Sequence, residues 1–507
     1  MLLSIPWAQT LLTLLSILDT HPIATIFTIL LTVFTLALLI DHCLAPKEIP
    51  YIFSIPGELP FIGHLHLILD NPALIYLTWC KLYNSSVFQI RIGNKRVVVV
   101  NEFSDVVALW VNHSCQNNSR PLSYTFHGLV SAFQGFTVGS TPASATFLRK
   151  KKTISLCLRK REVEEKVDLI DEEICCMVKE MVRRKDIGNV DVNFLPYLQK
   201  FTLKTAIKMS YGILLDCYNK DAKLCQEIID VESNIIRLRS PISNLQDSVP
   251  FLRFIPWFNN REFAIRCGNR RNKYMDQLHK TLLDGITDND PAMTNSILGR
   301  LILSNNDTTK LTPQEIQSIC LTLHIQDKAI HEILSHSPHG DLVTAWNQAN
   351  DESRDCKYVQ ALVLETLRHF TVLPLSLPRL TTKPIYYKDF MIPRDTHLFM
   401  NAYAANHDET VFGNPFRFDP ERWLDKETNE IRSQGTFPVG MNHIGGSGGS
   451  RGTGNVQNFH FAFGAGSRMC SGYNLVMKEM YMMVIKMLLL FEVMPPGREA
   501  VVEMTSD

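Results

Sequence analysis

The stretch richest in chemistry is Phe463-Gly464-Ala465-Gly466-Ser467-Arg468-Met469-Cys470-Ser471-Gly472. Its glycines let backbone approach a flat ligand closely, and Cys470 stands where a final helix is expected to begin. A thiol at a helix N-terminus is favoured as thiolate by the helix dipole and by unpaired N–H groups, and a thiolate is a strong metal ligand. Arg468, two residues away, can neutralise a carboxylate on the same ligand. A free cysteine is commonly just a small buried hydrophobe, but glycine-rich flanks and a nearby arginine make that a poor account of Cys470.

Two further groupings precede it. Glu365-Thr366-Leu367-Arg368 places acid and base at i and i+3, on one helical face where they can pair. Alone, such a pair reads as an exposed salt bridge; the neighbours Val363, Leu364 and Leu367 argue that this one is buried. Phe418-Asp419-Pro420-Glu421-Arg422-Trp423 follows as a polar loop carrying a second arginine.

Taken in order, these stretches resemble the cytochrome P-450 superfamily of heme-thiolate monooxygenases, over roughly Pro56 to Pro495. The cysteine segment fits F-x-x-G-x-R-x-C-x-G through Phe463, Gly466, Arg468, Cys470 and Gly472; Glu365 and Arg368 fit E-x-x-R; Arg422 fits the arginine that completes that network. The resemblance implies a mainly α fold with small β-sheets (the cytochrome P-450 fold). It also implies iron protoporphyrin (heme) with Cys470 as axial ligand, its electron density favouring O–O cleavage. Arg468 and Arg379 would meet heme propionates, and Phe463 and Gly466 would shape the cofactor loop. Glu365, Arg368 and Arg422 would be structural, and Val372 to Leu377 would line the substrate pocket. Implied partners are O2, a small organic substrate and an NADPH-dependent flavoprotein reductase. Within the superfamily, Leu364 to Pro374, Phe399 to Glu409 and Gly464 to Cys470 look most like fungal phenylacetate hydroxylases, which points to ring hydroxylation of an aromatic acid.

The chain departs from that pattern in three places. The [AG]-G-x-[DE]-T-[ST] segment that delivers protons during dioxygen activation is absent. Asp307-Thr308-Thr309 is a decoy: Thr312 and Glu315 form a capping box with Pro313 at the first helical position, which leaves Asp307 and Thr308 in a preceding loop. The helix then passes from Leu323-His324 straight into Ile325-Gln326, as if a block were lost. The tryptophan of an early W-x-x-x-R falls on Ala143, leaving only the basic run Arg149 to Lys152, otherwise a solvated face. The chain also ends 37 residues after Cys470, short of the usual C-terminal hairpin. A second expectation therefore stands beside the first: a family member that binds heme but lacks the oxygen-activation motif. A third is a heme-thiolate isomerase or dehydratase, which needs no such motif.

The elements that must position these residues are mostly helical. From Leu158 to Ile333 apolar residues recur three and four apart, as at Val163, Val167, Ile170, Ile174 and Met177. Val87 to Ile92 and Arg96 to Val100, joined by Gly93-Asn94-Lys95, predict a hairpin. A second is expected from Ile385 to Met400, and a nearly all-apolar helix from Met477 to Phe491. Gly435 to Gly454 carries eight glycines in twenty residues and reads as a surface insertion.

Ile23 to Ile40 is an 18-residue run without charge, which at 1.5 Å per residue spans about 27 Å, enough for a bilayer core. No basic stretch opens the chain as in a secretory signal. The expected layout is a membrane anchor over 1–45, a proline-rich hinge over 46–64 (Ile55-Pro56-Gly57 to Gly63), and a catalytic domain over 65–507. Lys47, the first basic residue, puts the body on the cytoplasmic side, here the endoplasmic reticulum surface. In all, 507 residues carry 51 Lys+Arg and 51 Asp+Glu. That balance argues against a nucleic-acid partner. The 12 cysteines are scattered, too few for a disulfide scaffold.

Overall fold

The computed structural model describes residues 22–132, 135–183, 192–240, 244–258, 260–303, 356–425, 427–428, 430–431 and 460–491. The decoy Asp307-Thr308-Thr309, the junction at Leu323-His324-Ile325 and the glycine-rich Gly435 to Gly454 lie outside the described residues.

A five-stranded sheet forms the non-helical side. Its strands are β1 (Phe53–Ser54), β2 (Val87–Ile92), β3 (Lys95–Val100), β4 (Arg379–Leu380) and β7 (His397–Met400), in the order β1-β2-β3-β7-β4. The β2–β3 hairpin turns on two residues, Gly93-Asn94, because Ile92 already pairs with Lys95. Gly93 has φ +57°, and a Cβ there would meet the Ser248 carbonyl at 1.9 Å. Period-two alternation sends Val98, Val100, Leu398 and Met400 into one core cluster and Phe88, Ile90, Val97, Val99 and Phe399 into another. Both faces are thus covered, which explains the nearly continuous apolar run.

The expected second hairpin is only half right. β5 (Ile385–Tyr387) pairs with β6 (Phe390–Ile392), whereas His397–Met400 leaves it and runs parallel to β3, with Val98 opposite Leu398. Its apolar residues bury more surface in the main sheet than a two-stranded ribbon offers.

The helical side is one large core. Helices Val167–Val182, Leu195–Tyr211, Ala222–Arg239, Arg261–Thr287, Lys357–Phe370 and Tyr473–Leu490 contribute to it. The last begins a turn before the expected Met477, at Tyr473 behind the N-cap Gly472. One disulfide, Cys217–Cys225, ties the loop after the Leu195–Tyr211 helix to the next helix, with both cysteines buried. No scaffold of bridges exists among the described residues, but the cysteines are not all inert.

At the N-terminus one helix, Pro22–Leu44, runs past the expected end at Ile40. Its Ile26–Leu44 stretch has mean hydropathy 2.1 and buries none of that window against the body. The proline-rich segment that follows is tied to the sheet by ion pairs. Arg91 pairs with Asp41 at 2.5 Å and with Glu58 at 3.2 Å, and Glu58 also holds Arg96 at 3.1 Å.

Candidate active site around Cys470

The cysteine loop is closed on itself by backbone. The N–H of Cys470 donates to the Phe463 carbonyl at 3.0 Å, and that of Met469 to Gly466 at 3.0 Å. Gly464 and Gly466 have φ +71° and +58°, a region that favours glycine. A Cβ on Gly466 would lie 2.0 Å from the Trp110 carbonyl, so no other residue fits. Phe463 packs its ring on His460 and Tyr473, with centroids 6.0 and 5.1 Å away. The loop is thereby presented at the mouth of the final helix.

Cys470 lies three positions before Tyr473, the first residue of that helix. Burial pushes its pKa up, and the lowering from the Gly472 N–H and the Lys151 charge does not offset it. Without a bound cation, desolvation outweighs the helix terminus here. A metal cation bound at this sulfur would supply the missing compensation, since a coordinating thiol loses its proton outright.

Around this loop lies a cluster of cations without acids. Arg468 is buried; its Nε donates to the Asn118 carbonyl at 2.6 Å and its Nη1 to Thr141 at 2.8 Å, while Nη2 is buried and donates to nothing. Its guanidinium stacks on Phe147, 3.3 Å from the ring centre. Arg379 donates to Asn117 Oδ1 at 2.7 Å and to the Ala465 carbonyl of the cysteine loop. Arg120 donates to the carbonyls of Gly139, Leu377 and Pro378 at 2.6–2.9 Å. Burial pushes Arg120 down to about 10 and, with the Arg120 charge, Arg468 to about 9. Arg379 is driven well down by burial and by the charges of Arg120 and Arg468. None of the three forms an ion pair with a carboxylate among the described residues. Buried charge of one sign without a partner is costly, and a ligand bearing carboxylates would relieve it.

Sequence reasoning missed Arg120 because one Arg-Pro step in a loop carries no spacing signal. The basic run is not a simple solvated face: Arg149 and Lys152 are exposed, but Lys150 is buried and donates to the Phe136 carbonyl at 3.3 Å. Lys151 turns inward to donate to the Met469 carbonyl beside the cysteine. Burial, with the arginine charges, presses Lys151 down to about 8 although Cys470 opposes this.

The acid–base pair is as buried as its apolar neighbours implied. Glu365 and Arg368 lie on the Lys357–Phe370 helix with fully buried side chains. They meet in a forked contact, Nε to Oε2 at 2.9 Å and Nη2 to Oε1 at 2.8 Å. Glu365 also accepts from Arg422 Nε at 3.1 Å, the Asp419 N–H at 2.9 Å and Trp423 Nε1 at 2.9 Å. Burial alone would raise its pKa, yet these hydrogen bonds and charges hold it below the usual carboxylate value. Arg368 Nη1 donates to the Asn406 carbonyl, and Asn406 Oδ1 accepts the N–H of Phe461 at the start of the cysteine segment. The network therefore reaches the loop through two hydrogen-bonded steps.

The Val372 to Leu377 segment passes over the same region. A Cβ on Gly464 would sit 3.8 Å from Ser376 Oγ, and Val372, Leu373 and Leu377 keep substantial exposed surface. Leu377 lines a cavity considered below.

A mostly helical body with a short mixed sheet, a glycine-bent cysteine loop and a buried Glu–Arg–Arg network define a heme-thiolate class of fold and site. The chain belongs to the cytochrome P450 family: the profile described as Cytochrome P450 matches residues 54–325 and 322–506. Family members bind heme iron through a cysteine thiolate and use O2, a substrate and a redox partner. The chain is 34% identical to phenylacetate 2-hydroxylase of Emericella nidulans over 472 residues, 88% of this chain and 83% of that protein. It is 32% identical to 3-hydroxyphenylacetate 6-hydroxylase of the same organism over 469 residues, 87% and 82% of the two chains. A cytochrome P450 monooxygenase of Mycosarcoma maydis is 29% identical over 465 residues, 87% and 81%.

Proposed function

We propose that this P450 monooxygenase hydroxylates the ring of phenylacetate or a related aromatic acid, with Cys470 as axial ligand of the heme iron. The observation that carries the site assignment is the acid-free arginine cluster beside Cys470. Arg468, with its buried unpaired Nη2, and Arg379 would receive the propionates, and Arg120 would add a third charge. Heme, when bound, supplies the site for dioxygen and the redox chemistry that inserts one oxygen atom and releases the other as water. Cys470 would give up its thiol proton on ligation, with Lys151 and the Gly472 N–H beside it to favour the negative charge. Phe463 and Gly466 shape the loop, while Glu365, Arg368 and Arg422 hold its start in place. The substrate class is supported by the names of the two Emericella nidulans relatives.

The apolar helix supports a membrane anchor over 1–45, a hinge over 46–64 and a catalytic domain over 65–507. Phe254 and Trp257, 88% and 90% exposed, lie on the segment whose Phe251 ring meets Phe61 of the hinge at 6.0 Å. That apolar surface beside the hinge favours a body lying against the endoplasmic reticulum membrane on its cytosolic side, where an NADPH-dependent flavoprotein reductase delivers electrons. The test is reconstitution with such a reductase, NADPH and phenylacetate. A hydroxylated product, together with a red-shifted band of the reduced carbon-monoxide complex, is expected; the absence of that band overturns the cofactor assignment.

A second reading is favoured by one observation. The family profile matches in two stretches that meet at 322–325, where Leu323-His324-Ile325 passes over the expected oxygen-activation segment. On that reading the chain binds heme but does not turn over. Transcript sequencing separates the two: an A-G-x-D-T segment between His324 and Ile325 restores the first, and an unbroken junction with NADPH use uncoupled from product supports the second.

A further inference from the structure

A cavity of about 100 Å³ adjoins the arginine cluster, sharing with it Arg120, Leu377 and Pro378. Phe126, Leu377 and Phe399 give it apolar walls suited to a small ring. Arg239, on the last turn of the Ala222–Arg239 helix, also lines it. Its guanidinium lies 4.2 Å over the Phe126 ring. Its Nη2 makes one long hydrogen bond, to Thr137 Oγ1 at 3.4 Å, and its Nε is buried and donates to nothing. No carboxylate pairs with it among the described residues; the acid whose charge it feels, Glu232, is engaged by the Tyr274 hydroxyl.

The other titratable groups on the cavity have partners, except that Asp247 Oδ2 is buried without one. Lys95 donates to the Asp247 backbone carbonyl at 2.8 Å and opposes the charge of Asp247, whose Oδ1 takes the Thr125 N–H and hydroxyl at 2.7 Å each. Burial presses His127 and His397 down to about 4, so both are neutral at pH 7. Arg120 spends its Nε and Nη1 on three carbonyls. Burial lowers Arg239 only to about 10, which leaves it charged.

We propose that Arg239 binds the carboxylate of an arylacetate substrate, through Nε and a terminal nitrogen, while the ring lies between Phe126 and Leu377. The inference rests on the aromatic-acid reading and names the residue that selects for the acid. A charged, partly buried hydrogen-bonded contact of this kind corresponds to about 10–100-fold in affinity.

The test is calorimetric titration of the heme-loaded full chain and of Arg239→Met and Arg239→Lys, using phenylacetate and its neutral isostere phenylacetamide, with the Soret band as a check on folding. Arg239→Met is expected to weaken phenylacetate by about 10–100-fold and leave phenylacetamide within about threefold, and Arg239→Lys to recover most of the loss. Equal weakening of acid and amide, or no weakening of either, overturns the assignment of Arg239 alone. A wild-type chain that binds no arylcarboxylate overturns the substrate reading together with it.

Discussion

The backbone N–H of Cys470 donates to the carbonyl of Phe463 at 3.0 Å, and this bond makes the cysteine loop a closed ring rather than an open approach to the final helix. Its geometry is set by backbone and by the glycine-only site at Gly466, so the side chain at position 470 can be exchanged without dismantling the loop. Cys470→Ala is therefore expected to fold yet lose the red-shifted band of the reduced carbon-monoxide complex entirely. Retention of the band would move the ligand elsewhere.

Arg468 separates ligand binding from stability. In Arg468→Leu the apoprotein loses a dry cation, so its unfolding midpoint should hold or rise. Heme transfer to an acceptor apoprotein should be about 10–100-fold faster, the equivalent of one charged hydrogen bond. A fall in apoprotein stability with unchanged heme retention would make Arg468 a purely structural residue.

Glu365 and Arg368 behave in the opposite way. Arg368→Leu strands a buried carboxylate, and although Arg422 and Trp423 remain, the expected loss is about 3–5 kcal/mol. Denaturant unfolding checks it; a loss below about 1 kcal/mol would mean that the Glu365 network repairs itself.

Four histidines, His127, His397, His407 and His460, are pressed down to about 4, chiefly by burial. An unfolded histidine titrates near 6.5, so between pH 6.5 and 4 the unfolded state binds more protons and stability falls as pH falls. Glu365, held below the ordinary carboxylate value, adds its own loss only at lower pH. Denaturant midpoints should thus decline from pH 6.5 downward, before carboxylates titrate. His397→Phe should flatten that decline, and a flat profile between pH 7 and 5 would contradict it.

The Cys217–Cys225 bridge closes a loop of separation 8, for which loop-closure entropy gives about 2.5 kcal/mol. Adding a thiol reductant, or making Cys217→Ser, should lower the unfolding midpoint equally, and reductant should do nothing further to the variant. Mass spectrometry after alkylation without reduction checks that neither sulfur reacts.

Much of the site could be read from the chain because its parts are local. The glycine-bent loop, the i,i+3 acid–base pair and the Phe418–Trp423 turn each fit within about ten residues, and the apolar neighbours of Glu365 already implied burial. What escaped is non-local. Arg120 matters because its carbonyl partners Leu377 and Pro378 are some 257 residues away, and a net charge of zero conceals a local excess of arginine. His397–Met400 read as part of a hairpin because alternation gives a strand but not its partner. Cys470 divides in the same way: a helix terminus is visible in sequence, while the burial that raises the metal-free thiol's pKa is a property of packing.

The main sheet joins segments that lie far apart in the chain. β2 and β3 come from one end of the body and β7 and β4 from the other, laced together by Val98 against Leu398 and Arg379 against Leu398. That weave fastens Arg379 to strands from the opposite end of the body. A cut anywhere between β3 and β4 would therefore leave each fragment with an unpaired sheet edge.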